Sequence, residues 1–306
     1  AIGSYTFADT VDGVALGNSS HSTGASSIAI GSGAVSNSAI RITENSKGRT
    51  QGAIAIGNAT EAKGGQSVAL GASSKALNEQ ATAIGNDATA TGWGSIVIGG
   101  DDTGSSGANN GLTGITDPYI YTDSTAIGYL TKDASQSVNY KYRPSVSTGV
   151  GAVVVGVHSQ ALSDGSTAIG VSATAGDNEE TFNSNTKTTA AKEATAIGAF
   201  ARAKSLNSTA IGHAASAMNT EATSIGNNTT ASGEQAAAIG NNTTASGAQA
   251  SAIGNNAAAS GTNALAIGSG ANATREDSAV LGANAKSTTD GGVALGANSI
   301  SDRQDS

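Results

Sequence analysis

Apolar residues return along this chain in short, evenly spaced pairs, each closed by a glycine, as in Ala29-Ile30-Gly31, Ala69-Leu70-Gly71 and Val97-Ile98-Gly99. The closing glycines run Gly3, Gly17, Gly31, then Gly57, Gly71, Gly85, Gly99, then Gly128, Gly156, Gly170, then Gly198, Gly212, Gly226, Gly240, Gly254, Gly268, Gly282 and Gly296. Within each uninterrupted run they stand 14 residues apart. A fixed period of this kind is the mark of a solenoid, in which one supersecondary unit stacks on its neighbours. The frames predict eighteen coils.

Counting from each closing glycine as position 0, position −1 is always Ile, Leu or Val, and position −2 is Ala in all but four copies, where Val97, Val154, Ser224 and Val280 stand. Both faces of this segment are apolar, so it reads as a strand buried on two sides. Positions +3 and +5 are small in nearly every regular copy, as in Ala88 and Ala90 or Ala201 and Ala203. Position +4 between them is mostly polar: His21, Glu61, Lys75, Thr89, Arg202 and Lys286. That alternation predicts a second strand with one wet face. Asn at +1 (Asn18, Asn58, Asn227, Asn241) and Gly at +7 (Gly24, Gly64, Gly233, Gly247) fit tight corners that need positive φ. Gly31-Ser32-Gly33 and Gly268-Ser269-Gly270 read as corners too, lacking the spacing of a dinucleotide loop. The fold expected is all-β, a parallel roll with two short strands per coil.

One coil carries a single large apolar residue, too little to offset ordering 14 backbones at about 1 kcal/mol or more each. The second apolar face of the first strand is therefore expected to be covered by other copies of the chain. Our assignment of the two faces puts isoleucine inside the roll, at Ile30, Ile56, Ile84, Ile127, Ile169, Ile197, Ile211, Ile225, Ile239, Ile253 and Ile267. It puts alanine at the subunit interface, at Ala29, Ala55, Ala83, Ala126, Ala168, Ala196, Ala210, Ala238, Ala252 and Ala266.

Four gaps break the rhythm, adding 12, 15, 14 and 14 residues, and insertions are expected near 37–52, 100–124, 130–149 and 177–194. The exact doublings also fit degenerate coils. These gaps hold both prolines and Tyr119, Tyr121, Tyr140, Tyr142 and Phe182. Insertions on a rigid solenoid often carry recognition, and Tyr and Arg are favoured contact residues, so Tyr119, Tyr121, Tyr140, Tyr142 and Arg143 are the candidate ligand contacts. The alternative is that these aromatics only pack their loops onto the roll. Arg41, Lys47 and Arg49 in one insertion, and Asp177, Glu179 and Glu180 in another, read as solvated charge. Trp93, at a turn, is either an exposed anchor or a cap on the next coil.

Composition removes several function classes. A net charge of −8 without clustered Lys and Arg argues against nucleic acid and against an anionic membrane surface. No apolar run approaches the roughly 18 residues of a membrane-spanning helix. There is no Cys, and His21, His158 and His213 are scattered, so no cofactor or metal is expected. Asp102-Thr103-Gly104 matches the aspartic-protease tripeptide, a chemistry that needs two facing carboxylates, and it occurs once. Thr at −3 (Thr82, Thr167, Thr195, Thr209) raises an ice-binding solenoid, which needs an unbroken exposed threonine array; Val68, Leu265 and Val293 interrupt it. A polysaccharide-processing β-helix would stack carboxylates at +4, where none line up.

The unit Gln66-Ser67-Val68-Ala69-Leu70-Gly71-Ala72-Ser73-Ser74 resembles the Asn-Ser-Val-Ala-Ile-Gly-x-x-Ser head repeat of the Yersinia adhesin type. Asn207-Ser208-Thr209-Ala210-Ile211-Gly212 and Ser27-Ile28-Ala29-Ile30-Gly31 are similar to it as well. On these residues the chain resembles the trimeric autotransporter adhesins. The resemblance implies a homotrimer of left-handed parallel β-rolls, with no enzymatic chemistry, exposed on a bacterial outer membrane and exported by an autotransporter route. It implies as partners host matrix proteins such as fibronectin and laminin, or host cell receptors. The head is expected over 1–298. Ser301-Asp302-Arg303-Gln304 resembles the opening of the family's neck, so a neck is expected from 299 to 306.

Overall fold

The computed structural model describes residues 1–37, 52–100, 145–176 and 193–302. Every element among them is a short strand. Strand one of each coil covers positions −3 to −1, as in Thr209–Ile211 and Leu265–Ile267, and lengthens to five residues at Thr223–Asn227, Ala237–Asn241 and Ser251–Asn255. Strand two covers +4 and +5, as in Thr230–Ala231 and Thr244–Ala245. All pairings are parallel and without slip, so position −2 of one coil meets −2 of the next: Ala196↔Ala210, Ala210↔Ser224, Ser224↔Ala238.

Among the described residues there are sixteen strands of the first kind and seventeen of the second. About sixteen coils result, against the eighteen frames in the sequence. The frame at Gly3 supplies a second strand, Phe7–Ala8, paired with His21–Ser22, but only an isolated bridge, Ile2↔Leu16, in place of a first strand, and the frame at Gly128 lies outside the described residues. The coils group into two compact units. One comprises Ala1–Thr91, Val97–Val146 and Gly156–His158, and the other Gly92–Ile96, Ser147–Val155 and Ser159–Ser306.

The core of a coil is four small side chains. In the Gly240 coil these are Ala236, Ala238, Thr243 and Ala245, and in the Gly254 coil Ala250, Ala252, Ala257 and Ala259, all at 0–1% exposure. They sit at −4, −2, +3 and +5, two from each strand on the inward face of the pleat. The two sheets thus meet across little more than a double layer of methyl groups. The largest fully buried side chains are Val97, Val154 and Val280, each at −2. Among the described residues most buried hydroxyls find hydrogen-bond partners, many of them in the backbone, Ser163 Oγ being an exception. Thr60 Oγ1 donates to the Gly71 carbonyl at 2.7 Å, Ser145 Oγ to that of Gly156 at 2.7 Å, and Ser224 Oγ to that of Thr229 at 2.9 Å.

This corrects the assignment of the two faces of strand one. Ala29, Ala55, Ala83, Ala168, Ala196, Ala210, Ala238, Ala252 and Ala266 lie inside the roll at 0% exposure in a single chain, out of reach of a partner. Ile30, Ile84, Ile197, Ile211, Ile225, Ile239 and Ile267 are half-buried on the outer face, and Ile56, Ile169 and Ile253 are exposed there. The reason is steric: an Ile at every coil would not fit between sheets whose other inward positions are Ala and Ser. Ala126 and Ile127 lie outside the described residues.

The corners differ from expectation in the same concrete way. Positive φ falls at +2 and −5, for example Asn228 (52°), Asn242 (50°), Gln235 (57°) and Gln249 (57°), rather than at +1 and +7. Gly33 and Gly270 occupy +2 with φ of 65° and 69°, as corner residues should. The +7 glycines serve close approach instead: a Cβ on Gly233 or Gly247 would collide with the carbonyl oxygen of the glycine one coil on.

Candidate functional site

Strand one presents two outward columns, −3 and −1. In the first unit they read Val14/Leu16, Ile28/Ile30, Ile54/Ile56 and Val68/Leu70 in register, apolar at both positions, and then Thr82/Ile84. In the second unit the −1 column stays apolar from Val155 through Ile169, Ile197 and Ile211 to Leu295, while −3 changes to Thr167, Thr195, Thr209 and Thr223 and returns to Leu265 and Val293. Leu16, Ile98, Leu281 and Leu295 on this face are exposed. A continuous row of large apolar side chains on the outside of a sheet is a surface built for contact. The −3 threonines share that outward face. Four in a row, bounded by Val153 and Ala237, they fall short of an extended array.

Strand two turns its +4 column the other way, and this side is polar. Glu61 is in register with Lys75, their charged ends 3.9 Å apart, and it also pairs with Lys63. Arg202, Ser216, Thr230 and Thr244 follow in the second unit. Amide side chains line both corners there. Gln249 Nε2 donates to Gln235 Oε1 at 2.9 Å and Gln235 Nε2 to Glu221 Oε2 at 2.8 Å, while Asn241 Nδ2 reaches Asn227 Oδ1 at 3.4 Å. His21 meets the edge of Phe7, with ring centroids 5.1 Å apart, and His213 meets Phe200 at 5.9 Å. Among the described residues no three acidic or imidazole groups converge as a metal site would require.

The insertions leave the roll at defined corners. Ile28↔Ile54 and Val35↔Glu61 pair directly, so residues 38–51 depart between strand two and the next strand one without breaking either ladder. Residues 177–192 depart at the same corner, because Thr167↔Thr195 and Thr174↔Arg202 pair directly. This exact doubling is therefore not a degenerate coil. The Gly156 N–H donates to Ile98 O at 2.8 Å, as Gly99 N–H does to Ile84 O at 2.9 Å, so no Gly128 coil is stacked between them. Thr89 N–H donates to Ser145 O, and Val146–Ser147 is the second strand of the Gly99 coil. Everything from 101 to 144 thus enters between the two strands of one coil, and the boundary expected at 149 moves back to 144. At the far end Ile300–Ser301 still pairs with Lys286–Ser287, which carries the roll past the boundary expected at 298.

The candidate contacts Tyr119, Tyr121, Tyr140, Tyr142 and Arg143 lie outside the described residues, as do Phe182 and Asp102-Thr103-Gly104. Trp93 stands 53% exposed at its corner, where its carbonyl accepts from Gly151 N–H at 2.8 Å. Sequence reasoning missed the outward −3 column. Its signal was present: Val or Ile two residues before an outward Leu or Ile in the first unit.

Comparison with known proteins fits this geometry. The model of the YadA head domain repeat (2 copies) matches residues 11–34, 51–74, 76–101, 147–173 and 190–215, and overlapping pairs of coils from 217 to 299. No curated protein matches the chain. The family matches skip 35–50, 102–146 and 174–189, which contain most of the stretches that the ladders bypass. With more than half of its residues in register with that repeat, the chain belongs to the YadA head-domain family, the head repeats of trimeric autotransporter adhesins.

Proposed function

We propose that this chain is the non-enzymatic head of a homotrimeric surface adhesin, with three rolls packed through the outward −3 and −1 columns of strand one. The observation that carries the reading is the unbroken −1 row of Ile, Leu and Val on the outside of each unit's sheet. Burying a fully exposed Ile or Leu is worth about 1.5–3 kcal/mol, and Leu16, Ile56, Ile98, Ile169, Ile253, Leu281 and Leu295 keep roughly a third or more of their surface, the other −1 residues less. Covering that remainder yields on the order of 0.5–1 kcal/mol at each of these exposed positions and less at the half-buried ones, a substantial sum when repeated along the chain. Trimerisation then turns the polar +4 columns outward. Repetition along and around the trimer supplies avidity rather than a deep pocket.

The proposed partners are host matrix proteins such as fibronectin and laminin, or host cell receptors, met at the bacterial surface after export by the autotransporter route. Tyr119, Tyr121, Tyr140, Tyr142 and Arg143 of the 101–144 insertion are the proposed contacts. Placing aspartate at two adjacent outward positions, Ile211→Asp with Ile225→Asp, tests the assembly. The variant is expected to keep its β-sheet circular dichroism while its light-scattering mass falls to that of one chain, and its retention on immobilised fibronectin and laminin falls with it. An unchanged mass would place the interface elsewhere.

A further inference from the structure

The corner after strand one places an asparagine at +1 whose side chain is exposed, and two residues later a +3 residue that points into the roll. In four coils these two positions spell Asn-x-Ser/Thr: Asn18-Ser19-Ser20, Asn58-Ala59-Thr60, Asn227-Asn228-Thr229 and Asn241-Asn242-Thr243. All four asparagines are exposed, whereas Ser20, Thr60, Thr229 and Thr243 are at 0%. Packing does not demand the hydroxyl. Ala88, Ala201, Ala215 and Ala257 fill the same +3 position elsewhere, equally buried. Yet of the four threonines in this column among the described residues, Thr6, Thr60, Thr229 and Thr243, three stand two residues after an asparagine.

We infer that Asn58, Asn227 and Asn241 are acceptors for N-linked sugar, joined to the chain before the roll closes. The tripeptide is the recognised acceptor for attachment of a sugar to the asparagine amide. In the reaction the Asn Nδ2 attacks the anomeric carbon of a sugar held on a diphosphate. The bond from that carbon to the diphosphate oxygen breaks, its electron pair leaves with the diphosphate, and the amide gives up one proton. An enzyme that reads the Thr hydroxyl cannot reach it in the folded coil, where Thr60 Oγ1 donates to the Gly71 carbonyl and Thr229 Oγ1 accepts from Ser224. The asparagine remains outside, so the finished roll has room for the sugar at its corner. Asn228-Thr229-Thr230 and Asn242-Thr243-Thr244 differ, because Thr230 and Thr244 point outward and remain readable after folding.

The test is mass spectrometry, with fragmentation that keeps side-chain sugars, on the full chain isolated from the cells that make it. Sugar on Asn58, Asn227 or Asn241 is the expected result, and bare asparagine at all three overturns the inference. Thr60→Ala and Thr243→Ala, which place at +3 the residue that other coils already hold there, are expected to fold normally and to lose the sugar at Asn58 and Asn241 alone. Sugar persisting in those variants also overturns it. Denatured chain offered to the soluble fraction of those cells with UDP-glucose, or to their membrane fraction, distinguishes a nucleotide-linked from a lipid-linked donor. Acceptance in neither fraction, or equal acceptance at Asn58 by folded chain, contradicts attachment before folding.

Discussion

Gly240 illustrates how tightly each coil constrains single residues. It holds φ at 142°, and a Cβ there would strike the carbonyl oxygen of Gly254 in the next coil. Gly240→Ala is expected to cost about 3 kcal/mol, from backbone strain and from forcing two coils apart. Urea denaturation followed by circular dichroism would measure it, and a loss under about 0.5 kcal/mol, the usual range of a neutral surface change, would contradict the packing. The glycine column was legible from the sequence because it never varies. The sense of Ala-Ile was not, since either residue can face a dry surface. The deciding signal lies one residue pair upstream. Position −4 is small wherever −2 is, as with Ser27 and Ala29, Ala53 and Ala55, or Ala250 and Ala252, and residues two apart on a strand share a face. Four small columns can close a thin roll only on each other, which sends Ile outward.

At the scale of the element, a coil is specified by two ladders and two corners, and an insertion is tolerated where it interrupts only a corner. The Gly170 and Gly198 coils pair in both sheets despite the residues between them. Removing residues 177–190 restores a 14-residue step, and the shortened chain is expected to melt within a few degrees of the parent, because no ladder bond is lost and loop length alone changes stability by well under 1 kcal/mol per doubling. A large drop in melting temperature would mean that the insertion carries part of the roll. The two-strand coil and its register were legible from period alone. The Ala-Ile-Gly frame at Gly128 misled, since a frame match says nothing about stacking; the bond from Gly156 to Ile98 excludes that coil from the ladder. The positive φ at +2 and −5 was equally hidden, because Ser19, Ala59, Gln66 and Phe200 occupy those positions as well as Asn.

At the scale of the molecule, each of the two units carries two surfaces of opposite character, one apolar and one mostly polar, back to back across a core of methyl groups. A roll so thin buries little on its own account, and its largest side chains stay outside until something covers them. In the proposed trimer, Ile, Leu and Val at −1 are the residues on which assembly depends. Family membership was legible from the repeat, while the candidate tyrosines rest on the general tendency of insertions to carry contacts. The most direct test of the account is the light-scattering mass of the purified chain in solution. Packing through the outward columns predicts three times the 29.4 kDa of one chain. A stable 29.4 kDa monomer, with Ile and Leu of strand one left in water, would contradict it.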